Sequence, residues 1–162
     1  EERGQAEAIA RNLSEMSLLK TPIISVIIGE GGSGGALALC VADRILMLEN
    51  SVFFVCTPEA CSSILWKDKS RADDAADALK LTAENLSELN IIDEIIPEPA
   101  GGAQENLQET ADSIKKSLQK HLSELAGAGK NKVNTLLDKR YEKYRKIGTF
   151  SETSKKASGG KS

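Results

Sequence analysis

Apolar side chains at Ala6, Ile9, Leu13 and Met16 recur every three or four positions, which predicts one face of a helix. Pro22 ends that pattern. The run from Ile23 to Ile28 is almost wholly apolar and β-branched, so it predicts a strand buried on both faces. A glycine-rich turn follows over 29–35, and Ala36 to Ala42 reads as a short apolar helix leaving it. Strands are expected over Arg44–Leu48 and Val52–Cys56, with Glu49-Asn50-Ser51 as the turn between them. Thr57-Pro58-Glu59 is a helix-start signal leading into Ala60–Trp66. Lys67 to Asp74 is a charged loop, and a helix runs from about Ala75 to Leu89 with a break near Leu81-Thr82.

Ile91 to Ile96 predicts another strand, stopped by Pro97 and Pro99. Leu107, Ala111, Ile114, Leu118, Leu122 and Leu125 then mark the apolar face of a long amphipathic helix. Val133 to Ile147 reads as a basic terminal helix, and 151–162 as a disordered polar tail. Strands alternating with helices argue for an α/β fold. The chain opens without Met and inside this first helical pattern, so it reads as a fragment whose partner elements lie upstream. Its unpaired apolar faces should drive it to self-associate or take a partner.

The 162 residues are 40% hydrophobic and 28% charged, which excludes a collagen-like or wholly disordered chain. The longest apolar stretch, 22–29, is too short to span a bilayer, and no signal peptide precedes it. Cys40, Cys56 and Cys61 are odd in number and lack C-x-x-C spacing, so they read as reduced thiols of an intracellular protein. Charge divides the chain more sharply than composition does. Residues 1–126 carry a net −10 and residues 127–162 a net +7. The break at Ala126-Gly127-Ala128-Gly129 separates a main domain, 1–126, from the basic helix, 127–150, and the tail.

Five of the 13 glycines lie between 29 and 35. A strand, this run and then a helix present unpaired amides at a helix N-terminus, where negative charge is favoured. A tight connection alone would need only one or two glycines. Gly29, Gly31 and Gly34 match the G-x-G-x-x-G dinucleotide pattern, with Glu49 at the right distance, although the helix is short for that crossover. Gly31, Ser33 and Gly35 match the G-x-S-x-G nucleophile elbow. That mechanism needs a histidine, and the one available, His121, reads as a surface residue among lysines. The phosphate loop fails, because Gly35-Ala36 stands where Lys and Ser/Thr are required. The remaining possibility is an oxyanion hole of backbone amides, which needs no ionisable neighbour.

Gly4-Gln5-Ala6-Glu7-Ala8-Ile9-Ala10-Arg11-Asn12-Leu13 resembles the carboxyltransferase α subunit of multi-subunit acetyl-CoA carboxylase. So do Ile28-Gly29-Glu30-Gly31-Gly32-Ser33-Gly34-Gly35-Ala36-Leu37-Ala38, Pro58-Glu59-Ala60-Cys61, Ile64-Leu65-Trp66-Lys67 and Ile95-Ile96-Pro97-Glu98-Pro99, in the family's order over about residues 1–150. Where that family usually has Gly-Gly-Ala-His, this chain has Gly101-Gly102-Ala103-Gln104.

The resemblance implies a crotonase-like fold of the ClpP/crotonase superfamily, built of repeated ββα units, incomplete here and followed by C-terminal helices. It implies transfer of a carboxyl group from carboxybiotin to acetyl-CoA, giving malonyl-CoA for fatty acid synthesis. The family's α-side oxyanion pair falls on Gly34 and Gly35. Gly31, Gly32 and Ser33 shape the same substrate-binding turn. Implied partners are a carboxyltransferase β subunit, in an α2β2 assembly, and a biotin carboxyl carrier protein. ATP is used by a separate biotin carboxylase, and the family's zinc ribbon lies on β, so no metal is expected on this chain. Leu48-Glu49-Asn50 and Tyr144-Arg145-Lys146-Ile147-Gly148 resemble the plastid and cyanobacterial branch, which implies a chloroplast stroma or a bacterial cytoplasm. The alternatives are another crotonase-fold acyl-CoA hydratase or isomerase, or a non-catalytic assembly subunit.

Three further features carry an ordinary reading. Cys61 is expected to be a small buried side chain rather than a reactive thiol, and Trp66 a core or interface residue rather than a platform for biotin. The basic run 139–146 is interrupted by Glu142, so it reads as a solvated or subunit-docking face rather than a contact for nucleic acid.

Overall fold

The computed structural model describes residues 2–127 and 133–148. The expected tail, 151–162, and the second half of the expected joint, 128–129, lie outside them. Helix α1 (Gln5–Leu18) leads to strand β1 (Ile24–Ile27). Strand β2 (Glu30–Gly32) and helix α2 (Ser33–Leu39) follow at once. Next come β3 (Arg44–Leu48), β4 (Val52–Phe54) and α3 (Pro58–Trp66). A 3-10 turn (Lys69–Arg71), α4 (Ala72–Leu79) and α5 (Ala83–Glu88) lead to β5 (Glu94–Ile96). The described chain ends with α6 (Leu107–Ala126) and α7 (Val133–Arg145).

The strands form two parallel sheets, β1-β3-β5 and β2-β4. Each of β1-β2-α2 and β3-β4-α3 is therefore one ββα unit whose two strands enter different sheets. The buried Ser51 hydroxyl ties the units together, donating within reach of the carbonyls of Leu48 (2.7 Å) and Ile27 (3.2 Å). Strand β3 lies at the centre, and its alternate side chains pack into two cores. Ile45 and Met47 join Ile27, Leu86 and Ile92 on one face, while Leu46 and Leu48 join Ile96, Ile114 and Leu118 on the other.

Most expected elements are present, and the differences have local causes. Strand β1 is half-buried at three of its four positions, because it is the edge of its sheet among the described residues. Strand β5 is shorter than the apolar run that predicts it. Ile91 and Ile92 instead return their amides to the Leu86 carbonyl at the end of α5. The expected break near residue 81 is real: Lys80 caps α4 in the left-handed conformation and Thr82 caps α5. Thr57 caps α3, its hydroxyl accepting from the Ala60 amide at 3.3 Å, with Pro58 in the first position.

Helix α6 is rotated from the expected face. Thr110, Ser117 and His121 are buried, whereas Leu107 is 74% exposed. Helix α7 also differs from expectation, since Arg140 on its basic run is buried inside this chain rather than solvated. No described helix is long and apolar enough to cross a membrane.

Candidate functional site

The glycine run does not form one loop. Glu30, Gly31 and Gly32 are strand β2, paired in parallel with Val52, Phe53 and Phe54. Gly32 is extended (φ −123°, ψ 149°), Ser33 turns left-handed at φ 60°, and α2 begins there. Helix α2 starts three residues earlier than the apolar pattern suggests, so Gly34 and Gly35 occupy its first turn. First-turn amides have no intrahelical partner, and no side chain caps this helix. The two amides are therefore donors without an acceptor in the described chain.

The glycines divide by cause. A Cβ on Gly32 would come within 2.8 Å of Phe54 Cε2, and one on Gly31 within 3.2 Å of Phe53 Cδ2. Packing inside the chain thus accounts for both. It does not account for the other pair. A Cβ on Gly34 would meet only Ile9 Cγ2, at an ordinary 3.7 Å, and one on Gly35 would meet nothing within 4 Å. Neither has a left-handed backbone. Helical glycine costs about 0.5–1 kcal/mol relative to alanine. Both glycines are half-buried, yet no side chain blocks the space that a Cβ on either would take.

Beside this turn lies an apolar cavity of about 260 Å3, lined by Leu37, Phe53, Phe54, Val55 and Leu86, with Ser33 as its polar member. A wider groove of about 590 Å3 runs along β1, β2 and α2 and includes Gly31 and Gly32. Gly31, Gly32, Ser33, Gly34 and Gly35 are thus brought to one strand-to-helix junction.

The competing motif readings do not survive the geometry. The dinucleotide pattern needs its glycines in a turn, yet Gly31 lies within β2, and the Glu49 carboxylate accepts the Glu98 amide at 3.2 Å. The nucleophile elbow needs His121 beside Ser33. Ser33 lies on the sheet face that carries Phe53 and Leu86, while His121 packs from α6 on the opposite face.

His121 is not the surface residue that its neighbours suggest, being 4% exposed. Its Nε2 lies 3.0 Å from Glu94 Oε2. Glu94 also accepts from Ser117 and Lys120, each at 2.5 Å. Burial pushes the Glu94 carboxyl up, but Lys120, Ser117 and His121 outweigh it and hold it at about 2. This cluster anchors α6 to β5.

The Gly101–Gln104 segment is likewise built by local contacts. Gly101 and Gly102 are left-handed, and Gln104 donates to the Gly101 carbonyl at 2.8 Å. Glu98 accepts the amides of Asn50 (2.9 Å) and Ala103 (2.7 Å). Burial alone would raise its carboxyl, but those amides draw it below the usual range.

Cys61 is buried, as expected, and burial followed by the neighbouring Cys56 thiol pushes its own thiol up, away from thiolate. Trp66 is half-buried, with the Arg71 guanidinium 4.0 Å from its ring centroid. No group of three His, Cys, Asp or Glu among the described residues could hold a metal ion.

Parallel sheets built from ββα units and followed by C-terminal helices define the crotonase-like class of fold. A chain of a Pseudomonas malonate decarboxylase hetero-tetramer in complex with coenzyme A has this fold, with a TM-score of 0.62 at 17% identity over 86% of this chain and 56% of that one. The acetyl co-enzyme A carboxylase carboxyltransferase-like family matches residues 1–148, and the chain belongs to that family. It is 59% identical over 152 residues to the acetyl-coenzyme A carboxylase carboxyl transferase subunit alpha of Shouchella clausii, covering 94% of this chain and 46% of the relative. It is also 57% identical over 154 residues to a Natranaerobius thermophilus chain named as carboxyl transferase subunits beta/alpha, covering 95% of this chain and 25% of that one. The chain thus spans about half the length of the separate α relative it matches.

Two contributors to the site escaped the sequence reading. Phe53 and Phe54 pack directly on Gly31 and Gly32. The signal was present, since two of the chain's three phenylalanines are adjacent in the strand after next. Their pairing with the glycines depends on a register that sequence pattern does not state.

Proposed function

We propose that this chain supplies the α side of a carboxyl transfer from carboxybiotin to acetyl-CoA, giving malonyl-CoA. The observation that carries the reading is the first turn of α2, where no side chain caps the helix and no packing contact explains glycine at Gly34 and Gly35. As the carboxyl group leaves the ureido nitrogen, negative charge spreads to the ureido oxygen. Gly34 and Gly35 donate to that oxygen, and fixed donors of this kind in a dry site are worth about 3–4 kcal/mol each. Gly31, Gly32 and Ser33 form the wall of the same site.

The acetyl α-carbon gives up its proton to the ureido nitrogen, so no general base from this chain is required. The resulting enolate carbon forms the new bond to the carboxyl carbon. Its oxygen is stabilised on the partner's side, by the carboxyltransferase β subunit. The naming of the relative with both parts in one chain supports that partner. An α2β2 assembly, visited by biotin carried on a separate carrier protein, completes the reading. ATP is consumed at a separate biotin carboxylase. The bacterial relatives support a bacterial cytoplasm rather than a plastid stroma.

The test is to assemble the chain, in its full-length form, with the β subunit and to assay malonyl-CoA decarboxylation in the presence of biotin. Activity that needs both chains and is lost on Gly35→Val supports the proposal. Hydration of an enoyl-CoA by the chain without β would replace it with the hydratase reading. Assembly and full activity that tolerate Gly35→Val would leave a structural subunit.

A further inference from the structure

Four described non-glycine residues have a left-handed backbone: Ser33, Lys67, Lys80 and Asn90. Lys67 and Lys80 are helix C-caps, and Asn90 follows Leu89, the C-cap of α5. That is the ordinary place for this conformation. Ser33 instead stands at the start of a helix, where a left-handed serine is disfavoured and persists only if its surroundings hold it. No side-chain hydrogen bond caps α2 to do so.

The holding contacts come from β4. Phe53 and Phe54 are the cross-strand partners of Gly31 and Gly32, and their rings cover the space that a Cβ would fill. Aromatic cover of a glycine on the neighbouring strand pins that strand. Gly32 is thereby fixed in extended geometry, and the backbone reverses sense at Ser33 before α2 begins. The direction of the Gly34 and Gly35 amides is set by that kink.

We propose that Phe54, assisted by Phe53, is a positioning residue: by pinning Gly32 against β4, its ring holds Ser33 in the left-handed conformation that aims the Gly34 and Gly35 amides. This inference rests on the carboxyl-transfer reading of those amides. It has a specific consequence. Glycine adopts a left-handed backbone without strain, so a glycine at position 33 makes the clamp largely dispensable.

The experiment uses the full-length chain assembled with its β subunit and measures kcat and KM separately for malonyl-CoA decarboxylation. Phe54→Leu and Phe54→Met, which keep apolar volume but lose the ring, each lower kcat on the order of 100-fold while moving KM less than about threefold. Adding Ser33→Gly to either variant recovers about tenfold of the loss. A merely structural role gives no such rescue, because an added glycine only loosens the chain. Full kcat in the Phe54 variants, or a loss that Ser33→Gly does not reduce, overturns the proposal.

Gly35→Val separates the two readings. If it is inactive while the Phe54 variants are fully active, the clamp fails and the amide site stands. If it is fully active, both fall. Should neither Phe54 variant assemble, Ser33→Gly alone decides. A raised midpoint of thermal unfolding supports the held strain, and an equal or lower midpoint overturns it.

Discussion

Arg140 on α7 and Asp43 ahead of β3 form a bidentate ion pair, Nε to Oδ1 at 3.0 Å and Nη2 to Oδ2 at 2.8 Å, with both side chains almost wholly buried. The remaining Arg140 donors reach the carbonyls of Met16, Leu19 and Thr21, each at 2.9 Å. Asp43 also accepts the Ile23 amide at 2.8 Å. One side chain thus closes the C-terminal end of α1 and joins it to the sheet. Tyr144 and Lys143, on the same helix face, add contacts to Cys40 and Asp93.

Arg140→Met is therefore expected to destabilise the chain by about 3–5 kcal/mol, because it leaves Asp43 buried without its counter-charge. Arg140→Lys should recover little, since an ammonium cannot reproduce the five-donor fork. Denaturant unfolding of the three proteins checks both statements.

Gly35→Ala should hold or raise stability by about 0.5–1 kcal/mol, since its Cβ meets nothing and helix propensity improves. Gly35→Val should lower turnover about 10²–10³-fold in the assembled enzyme, as loss of an oxyanion donor does. Ser33→Ala should lose less than about tenfold, whereas a serine nucleophile would leave only background. Thermal unfolding and steady-state kinetics on the same preparations separate folding from chemistry.

Glu94 gives a pH dependence with a definite sign. Its carboxyl is held at about 2, below its ordinary 4.5, by Lys120, Ser117 and His121 against the effect of burial. A depressed carboxyl contributes stability that is fully present above its unfolded value and is lost as pH falls through the folded one. Stability should therefore fall from about pH 4.5 toward 2, and Glu94→Gln should flatten that slope. Equal slopes in the two proteins would remove this role for Glu94.

The β1 edge and the groove beside it leave Ile28 and Leu39 68% and 62% exposed. Unpaired parallel strands with apolar neighbours invite association. The isolated 162-residue chain should sediment as oligomers at micromolar concentration, and a well-behaved compact monomer would contradict this.

Much of this protein was legible in the order of its residues. Caps and periodicity are local, so Thr57-Pro58, the break near Thr82 and the span of α6 followed from neighbours in sequence. The family blocks point to Gly34 and Gly35 as the proposed donor pair. Tertiary structure decided what local pattern cannot state. Helix α6 turns His121 inward, because Glu94 from another element supplies a partner that outweighs the placement of Leu107. The basic run on α7 points inward at Arg140, because the carboxylate that neutralises it lies 97 residues away. The difference between Gly31-Gly32 and Gly34-Gly35 is of the same kind. Both pairs read alike along the chain, but only the parallel register of β2 on β4 places phenylalanine rings against the first pair and leaves the second open.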